Sequence, residues 1–266
     1  MLFGILLSAA VALLAMGLVH VLVERRSPVA PVPPNHRLLN LATMLAWLML
    51  NAAVGPLLVG AVAVGANRLG GGMIVLSDHG WGLAAGAFAY VFVADAGEYG
   101  FHRLQHTVPW LWSLHTLHHS EPHINSTSGV LHHWSAMIMR TAFVALPLGL
   151  LFRAPAAVLS IYFLSTLYVH FMHANSTLDF GRLSWLLSSP SYHRIHHSVE
   201  PEHYDRNFAF IFPIYDVALG TYRRARPGEL PATGLEDGDR PHDLLEVMLW
   251  PVRRRLRRWN GLITAQ

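Results

Sequence analysis

The sequence predicts an all-α integral-membrane protein: a helical bundle of four to five spans with a histidine-rich metal cap on the cytosolic face. Three observations carry this expectation. Of the 266 residues, 53% are hydrophobic and only 13% charged, whereas about a quarter of an ordinary soluble domain is charged. The apolar residues fall in runs long enough to cross a bilayer. The chain also holds 18 histidines, most of them between His102 and His203.

The elements follow in order. Met1 to Val23 is almost wholly apolar and is followed by Glu24, Arg25 and Arg26. A secretory signal carries its positive charge before the apolar region, so this stretch reads as a retained first span with its C-terminal end in the cytosol. Ser27 to Asn35 contains Pro28, Pro31, Pro33 and Pro34 and forms a stiff connector. Leu38 to Ala66 makes one long span, tilted or kinked near Gly55-Pro56. Asn67 to His79, with Gly70-Gly71-Gly72, is an external turn. Trp81 to Phe101 is the third span, gaining Asp95, Glu98 and Tyr99 as it leaves the bilayer. Ala136 to Phe152 and Pro155 to His173 form an apolar hairpin, either a fourth and fifth span or a partly inserted pair. Pro227 to Asp243 is an acidic loop, and Leu244 to Trp259 mixes apolar residues with five arginines, as an interfacial anchor or a solvated basic tail. The chain thus divides into N-terminal helices and connectors (1–79), a histidine-bearing unit (80–222) and a cytosolic C-terminal tail (223–266).

With Arg25 and Arg26 inside and Arg68 and Arg153 outside, every histidine cluster falls on the cytosolic side. The expected setting is a bacterial inner membrane. The net charge is +3 and the basic residues are all arginine. That modest excess suits anionic lipid, and no basic-aromatic surface points to nucleic acid. There is no cysteine, which excludes disulfides, thiolate metal sites, iron–sulfur clusters and a cysteine nucleophile.

The chemistry lies in the spacing of the histidines. His102 and His106 are four apart, so both lie on one helix face. His115, His118 and His119 have i, i+3, i+4 spacing, and His193, His196 and His197 repeat it. Neutral imidazole is the commonest metal ligand, and an all-nitrogen set suits zinc, iron, copper or nickel. Eight such groups exceed the four that fill a structural zinc site and suffice for two ions. His170 lies three residues before His173 and is a further candidate ligand. His123 and His132 read as non-ligands. His20, His36, His79, His203 and His242 read as surface or hydrogen-bonded residues. Asp95 and Glu98 are candidates to orient ligand imidazoles as acceptors. Trp110, Trp112 and Trp134 read as interface anchors.

The sequence resembles a known family. H-R-L-Q-H at 102–106, H-T-L-H-H at 115–119 and H-R-I-H-H at 193–197 resemble the three histidine boxes of the fatty acid hydroxylase/sterol desaturase superfamily. Phe171 to Asn175 is similar to its F-x-H-x-N element. Asp205 to Phe208, with Asp216 and Leu219 to Tyr222, is similar to its closing segment. The resemblance covers roughly residues 80–222 and implies a membrane-bound, non-haem di-iron oxygenase that hydroxylates or desaturates a lipid. It also implies the ligand set His102, His106, His115, His118, His119, His173, His193, His196 and His197. His133 matches a further family histidine, although Trp134 stands where the family has proline. Asn175, Asp205 and Asn207 join Asp95 and Glu98 as supporting residues. Ala209 and Tyr215 replace the usual glycine and tryptophan.

The resemblance implies two iron ions, which zinc replaces in purified protein, and a lipid substrate in the bilayer. The chain has neither cysteines for iron–sulfur clusters nor a G-x-G-x-x-G motif. Electrons must then come from a separate ferredoxin, cytochrome or reductase. The rival reading is a zinc-dependent membrane hydrolase. It requires a carboxylate base beside the histidines, as in H-E-x-x-H, but Arg103, Thr116 and Arg194 stand in that place. A metal transporter would need its ligands at mid-membrane depth, whereas these cluster past the span ends.

Overall fold

The computed structural model describes residues 2–261 and is mostly helical. Helix α1 (Leu2–Val19) contains no charged residue and continues into a π-helical turn at His20–Glu24. After the proline-rich connector, α2 runs without a break from Pro34 to Arg68. Pro34 occupies the first turn, where its missing N–H costs nothing, and Pro56 is accommodated inside the helix. At 35 residues, α2 is about 52 Å long, well beyond a hydrocarbon core of about 30 Å. Phe3–Glu24 and Pro34–Arg68 are, among the described residues, the two helices long and apolar enough to cross a membrane.

Strand β1 (Ile74–Val75) follows the glycine turn, and α3 (Gly80–Thr107) carries His102 and His106 out on its last turns. Val108 is extended because a proline follows it, which separates α3 from α4 (Pro109–His119). The apolar hairpin is built from α5 (Ala136–Arg140), a π-helical turn, α6 (Leu146–Leu151), strand β2 (Phe152–Arg153), α7 (Ala156–Thr166) and α8 (Tyr168–Met172). Its arms, Ala136–Leu151 and Ala156–Met172, are shorter than α1 and α2. The parallel pairing of β1 with β2 ties its tip to the turn after α2. Helix α9 (Pro190–His196) is capped by Ser189, whose hydroxyl accepts from the Tyr192 N–H. Then come α10 (Ile214–Leu219), α11 (Leu244–Met248) and α12 (Trp250–Trp259).

One apolar core joins α3 to the hairpin through Tyr90, Ala94, Phe101, Val144, Leu148 and Val158. A second lies behind the histidines, where Leu117 and Leu131 meet Leu235, Val247 and Trp250. Trp250 is fully buried, and its indole N–H donates to Thr116 Oγ1 at 2.9 Å. The C-terminal segment therefore packs as a wedge behind α4. Pro251 sits in the first turn of α12 and starts that helix. Arg253 and Arg254 turn inward to the buried Asp237 and Asp239. Leu249, Val252, Leu256 and Trp259 stay exposed.

Trp250→Ala should lower stability by about 3–5 kcal/mol through the cavity it leaves and the hydrogen bond it removes. Because Leu117 lies between His115 and His118, the same change should lower metal retention. Thermal unfolding with metal analysis of the purified variant checks both, and an unchanged midpoint would show that the wedge is not needed.

Candidate metal centre

Nine histidines gather into two groups. His102, His106, His115, His119 and His196 form one, and His118, His173, His193 and His197 form the other. Within each group the ligand atoms lie within 4.8 Å of one another. Helix geometry decides the division. On one broad helix face, i+4 lies about 40° to one side of i and i+3 about 60° to the other, so the adjacent histidines at i+3 and i+4 diverge by about 100°. His115 and His119 therefore enter the first group while His118 enters the second. In α9 the order is reversed, with His193 and His197 in the second group and His196 in the first. Each triplet lends one imidazole to the other's group, and the groups abut through the His119–His197 stack, with centroids 4.3 Å apart.

Three backbone carbonyls orient the rings. Nδ1–H of His102 donates to Phe208 O at 2.8 Å, that of His196 to Arg206 O at 2.8 Å, and that of His173 to Val169 O at 2.8 Å. A carbonyl can only accept, so the proton of each neutral ring sits on Nδ1 and the lone pair on Nε2. Those Nε2 atoms face the groups. His102 Nε2 is 3.0 Å from His115 Nε2. In the second group the Nε2–Nε2 separations are 3.1 Å for His118–His173, 3.0 Å for His173–His193 and 3.1 Å for His193–His197.

The residues fit metal ions. Two nitrogens each about 2.1 Å from one ion can lie no more than about 4.2 Å apart, and these are closer. Nε2 of His106, His119 and His196 is buried without a hydrogen-bond partner, which is costly unless something else binds it. Burial holds His118, His119, His193, His196 and His197 well below the ordinary imidazole pKa, and their imidazole neighbours push the same way. The rings are therefore neutral at physiological pH, the form that binds metal.

The other candidates fall elsewhere. His133 lies outside both groups, with Nδ1 on Ser135 Oγ and Nε2 on Met248 O. His170 is also outside, donating to Ser126 O at 2.9 Å. His132 stacks on His118 with centroids 4.2 Å apart and joins neither group. His123 packs edge-on against His36, which is itself buried against Glu121. Trp112 is not simply an anchor, since its ring lies 4.8 Å from that of His106 and 5.3 Å from that of His119.

The carboxylates and amides act on backbone or, for Glu98, on an arginine, rather than on imidazoles. Asp95 accepts the N–H groups of Ile211 and Phe212. Glu98 pairs with Arg140 at 2.5 Å. Asn175 grips the connector through Val29 and Ala30. Asn207 spans Tyr192 O and Arg223. Asp205 stands nearest a ligand, its carboxylate 3.6 Å from His106 Nδ1, too far for a hydrogen bond. Asp205 and Asn207 have φ of 56° and 61°, a left-handed conformation that Asp and Asn tolerate better than most residues. These two turns flank Arg206 and help present the carbonyls of Arg206 and Phe208 to the same group.

Glu24 was not singled out by the sequence reading, yet it is the main tie between α1 and the site. It accepts from Ser126 N at 2.6 Å and Asn175 N at 3.1 Å and pairs with Arg37 at 3.0 Å. Its only sequence signal is an acid at the end of a long apolar run. A cavity of about 530 Å³ opens beside both groups, touched by His102, His115, His118, His173 and His193. It runs up between the helices past Ala12, Met44, Leu48, Val144 and Phe163.

The model of the family described as fatty acid hydroxylase matches residues 87–221. The chain is 34% identical to the alkylglycerol monooxygenase of Danio rerio over 128 residues, which is 48% of this chain and 28% of that protein. It is 27% identical to the alkylglycerol monooxygenase of Caenorhabditis elegans over 166 residues, 61% of this chain and 32% of that protein. It is 30% identical to the ornithine lipid hydroxylase of Rhizobium tropici over 143 residues, 53% of this chain and 43% of that protein. The chain thus spans less than half the length of each of these relatives. No solved structure matches it. The match over half the chain encloses the histidine-bearing end of α3, helices α4 and α9, and the segment that orients them: this chain belongs to the fatty acid hydroxylase family.

Proposed function

We propose that this protein is a membrane-embedded lipid hydroxylase that inserts one oxygen atom of dioxygen into a C–H bond. The observation that carries this is the cavity, because it joins both histidine groups to an apolar passage between the spans. The monooxygenase and hydroxylase names of the relatives support hydroxylation over desaturation. The nine histidines of the two groups would hold two iron ions. Bound there, iron supplies the reduction of dioxygen that lets one oxygen atom enter the lipid while the other leaves as water, at the expense of two electrons and two protons. A separate ferredoxin, cytochrome or reductase delivers the electrons.

The chain's own residues do the remaining work. The apolar walls take up the lipid tail and keep water from the carbon that reacts. The carbonyls of Val169, Arg206 and Phe208 hold three imidazoles in one tautomer. In this reading α1, α2, α3 and the hairpin make up the four to five spans. The histidine groups lie at the cytosolic face of a bacterial inner membrane. Residues 1–79 anchor, 80–222 catalyse, and 223–266 brace the site from the cytosol. The outward apolar stripe of α12, opposite its inward arginines, suits a helix lying in the lipid interface. Zinc hydrolysis is less well supported, since both groups consist of histidine alone and Glu98, the carboxylate at the cavity wall, is paired with Arg140.

Two outcomes test the reading. His119→Ala and His118→Ala change neighbouring residues but different groups, so each should cut metal content from two ions towards one, while His242→Ala should leave both. Elemental analysis after anaerobic purification reads this, and a single ion in the unsubstituted chain would refute the two-group site. Incubation of the reduced enzyme with lipids under isotopically labelled dioxygen should give a product with one labelled oxygen. Label arriving from water instead would replace hydroxylation with hydrolytic or hydratase chemistry.

A further inference from the structure

The cavity wall carries a pair of opposite charges that a passage for a hydrocarbon does not need. Glu98 on α3 and Arg140 at the end of α5 pair at 2.5 Å, and both line the cavity. Arg140 keeps 45% of its side chain accessible. Tyr162, from α7, lines the same wall and lies beside the pair. Charged side chains between apolar spans are expensive, and where they persist they pair with one another and mark substrate routes. Apart from histidines, Glu98 and Arg140 are the ionisable acid and base on this cavity's wall. The pair has no net charge but offers both a charged acceptor and charged donors. Hydrogen bonds to charged groups are stronger than those between neutral ones.

Position gives the pair its role. Glu98 is four residues before His102 on the same helix, so it lies one turn, about 6 Å, from the first histidine group. The same cavity has apolar wall at Ala12, Leu48, Val144 and Phe163, with Ser8, Asn51, Thr141 and Thr166 among its uncharged polar lining. A lipid with its polar end at the pair would have its tail against those apolar walls.

Resting on the lipid-hydroxylase reading above, we propose that Glu98 and Arg140, with Tyr162, receive the uncharged, oxygen-bearing end of the substrate. Such an end is a hydroxyl, ether or ester oxygen, and its capture here selects a carbon within a few bonds of it for oxidation. An ionised head does not match, because each charge of the pair already has its counter-charge. A carboxylate would go to the metal cations instead, and an ammonium would be repelled by them.

The test measures lipid binding calorimetrically on the zinc-loaded chain in detergent, with three probes sharing one hexadecyl chain: hexadecylglycerol, hexadecanoate and hexadecylamine. Glu98→Gln and Arg140→Gln should each weaken hexadecylglycerol about tenfold. Glu98→Gln leaves a lone cation and should shift preference towards hexadecanoate, while Arg140→Gln should shift it towards hexadecylamine. The metal's own contribution is common to all three proteins and cancels from these ratios. The reversed pair, Glu98→Arg with Arg140→Glu, should restore hexadecylglycerol binding, which a merely misfolded single variant cannot explain. Unchanged hexadecylglycerol affinity in both single variants, or a reversed pair that restores nothing, overturns the proposal. No dioxygen or reductant is used, so a failed hydroxylation assay leaves this result standing, and failure here leaves the hydroxylase reading intact.

Discussion

Asp216 touches no imidazole, yet the first histidine group depends on it. It is completely buried and accepts from the backbone N–H groups of Phe208 and Ala209, from the Tyr192 hydroxyl at 2.5 Å and from Thr221 Oγ1. Its Phe208 contact fixes the strand of chain whose carbonyl orients His102, and its Tyr192 contact fixes the start of α9, which carries His193, His196 and His197. A buried carboxylate persists only when its oxygens are fully used, and here four donors use them. Asp95 does the same for the next residues, Ile211 and Phe212. Two acids thus hold the loop between α9 and α10 against the histidine-bearing helices. Such indirect support is how a protein sets ligand direction.

The histidine spacing made the site legible because i, i+3, i+4 patterns state which residues share a face. The long apolar runs showed α1 and α2 equally well. The sequence could not show which imidazole belongs to which group, because that depends on the angle at which α4 meets α9. Nor could it show that Asp95, Glu98 and Asn175 serve backbone and arginine partners, since those partners lie from 42 to 146 residues away. His133 and His170 have the composition of ligands but are drawn off by Met248 O and Ser126 O. Glu24 was hidden for the opposite reason. An acid next to two arginines at a helix end looks like a membrane boundary, and only the fold reveals that it is 2% exposed.

The C-terminal segment shows how far a tail can enter a site without supplying a ligand. Its arginines suggested a solvated or lipid-facing stretch, but Arg254 is buried against Asp237 and Asp239 and Trp250 fills the space behind α4. Leu249, Val252, Leu256 and Trp259 face outward beside the exposed Arg255, so the segment has two faces with separate contacts.

The reciprocal exchange of histidines between α4 and α9 has a consequence for variation. Adjacent residues on a helix are separated by a rise of about 1.5 Å and a turn of about 100°, so His118-His119 and His196-His197 act as two short rulers. The offset between the groups is set by those dipeptides together with the angle at which α4 meets α9. Cavity-wall residues away from the dipeptides, such as Ala12, Leu48 and Phe163, can therefore change without altering it. A fold of this kind can reshape its cavity while the spacing at its centre stays the same.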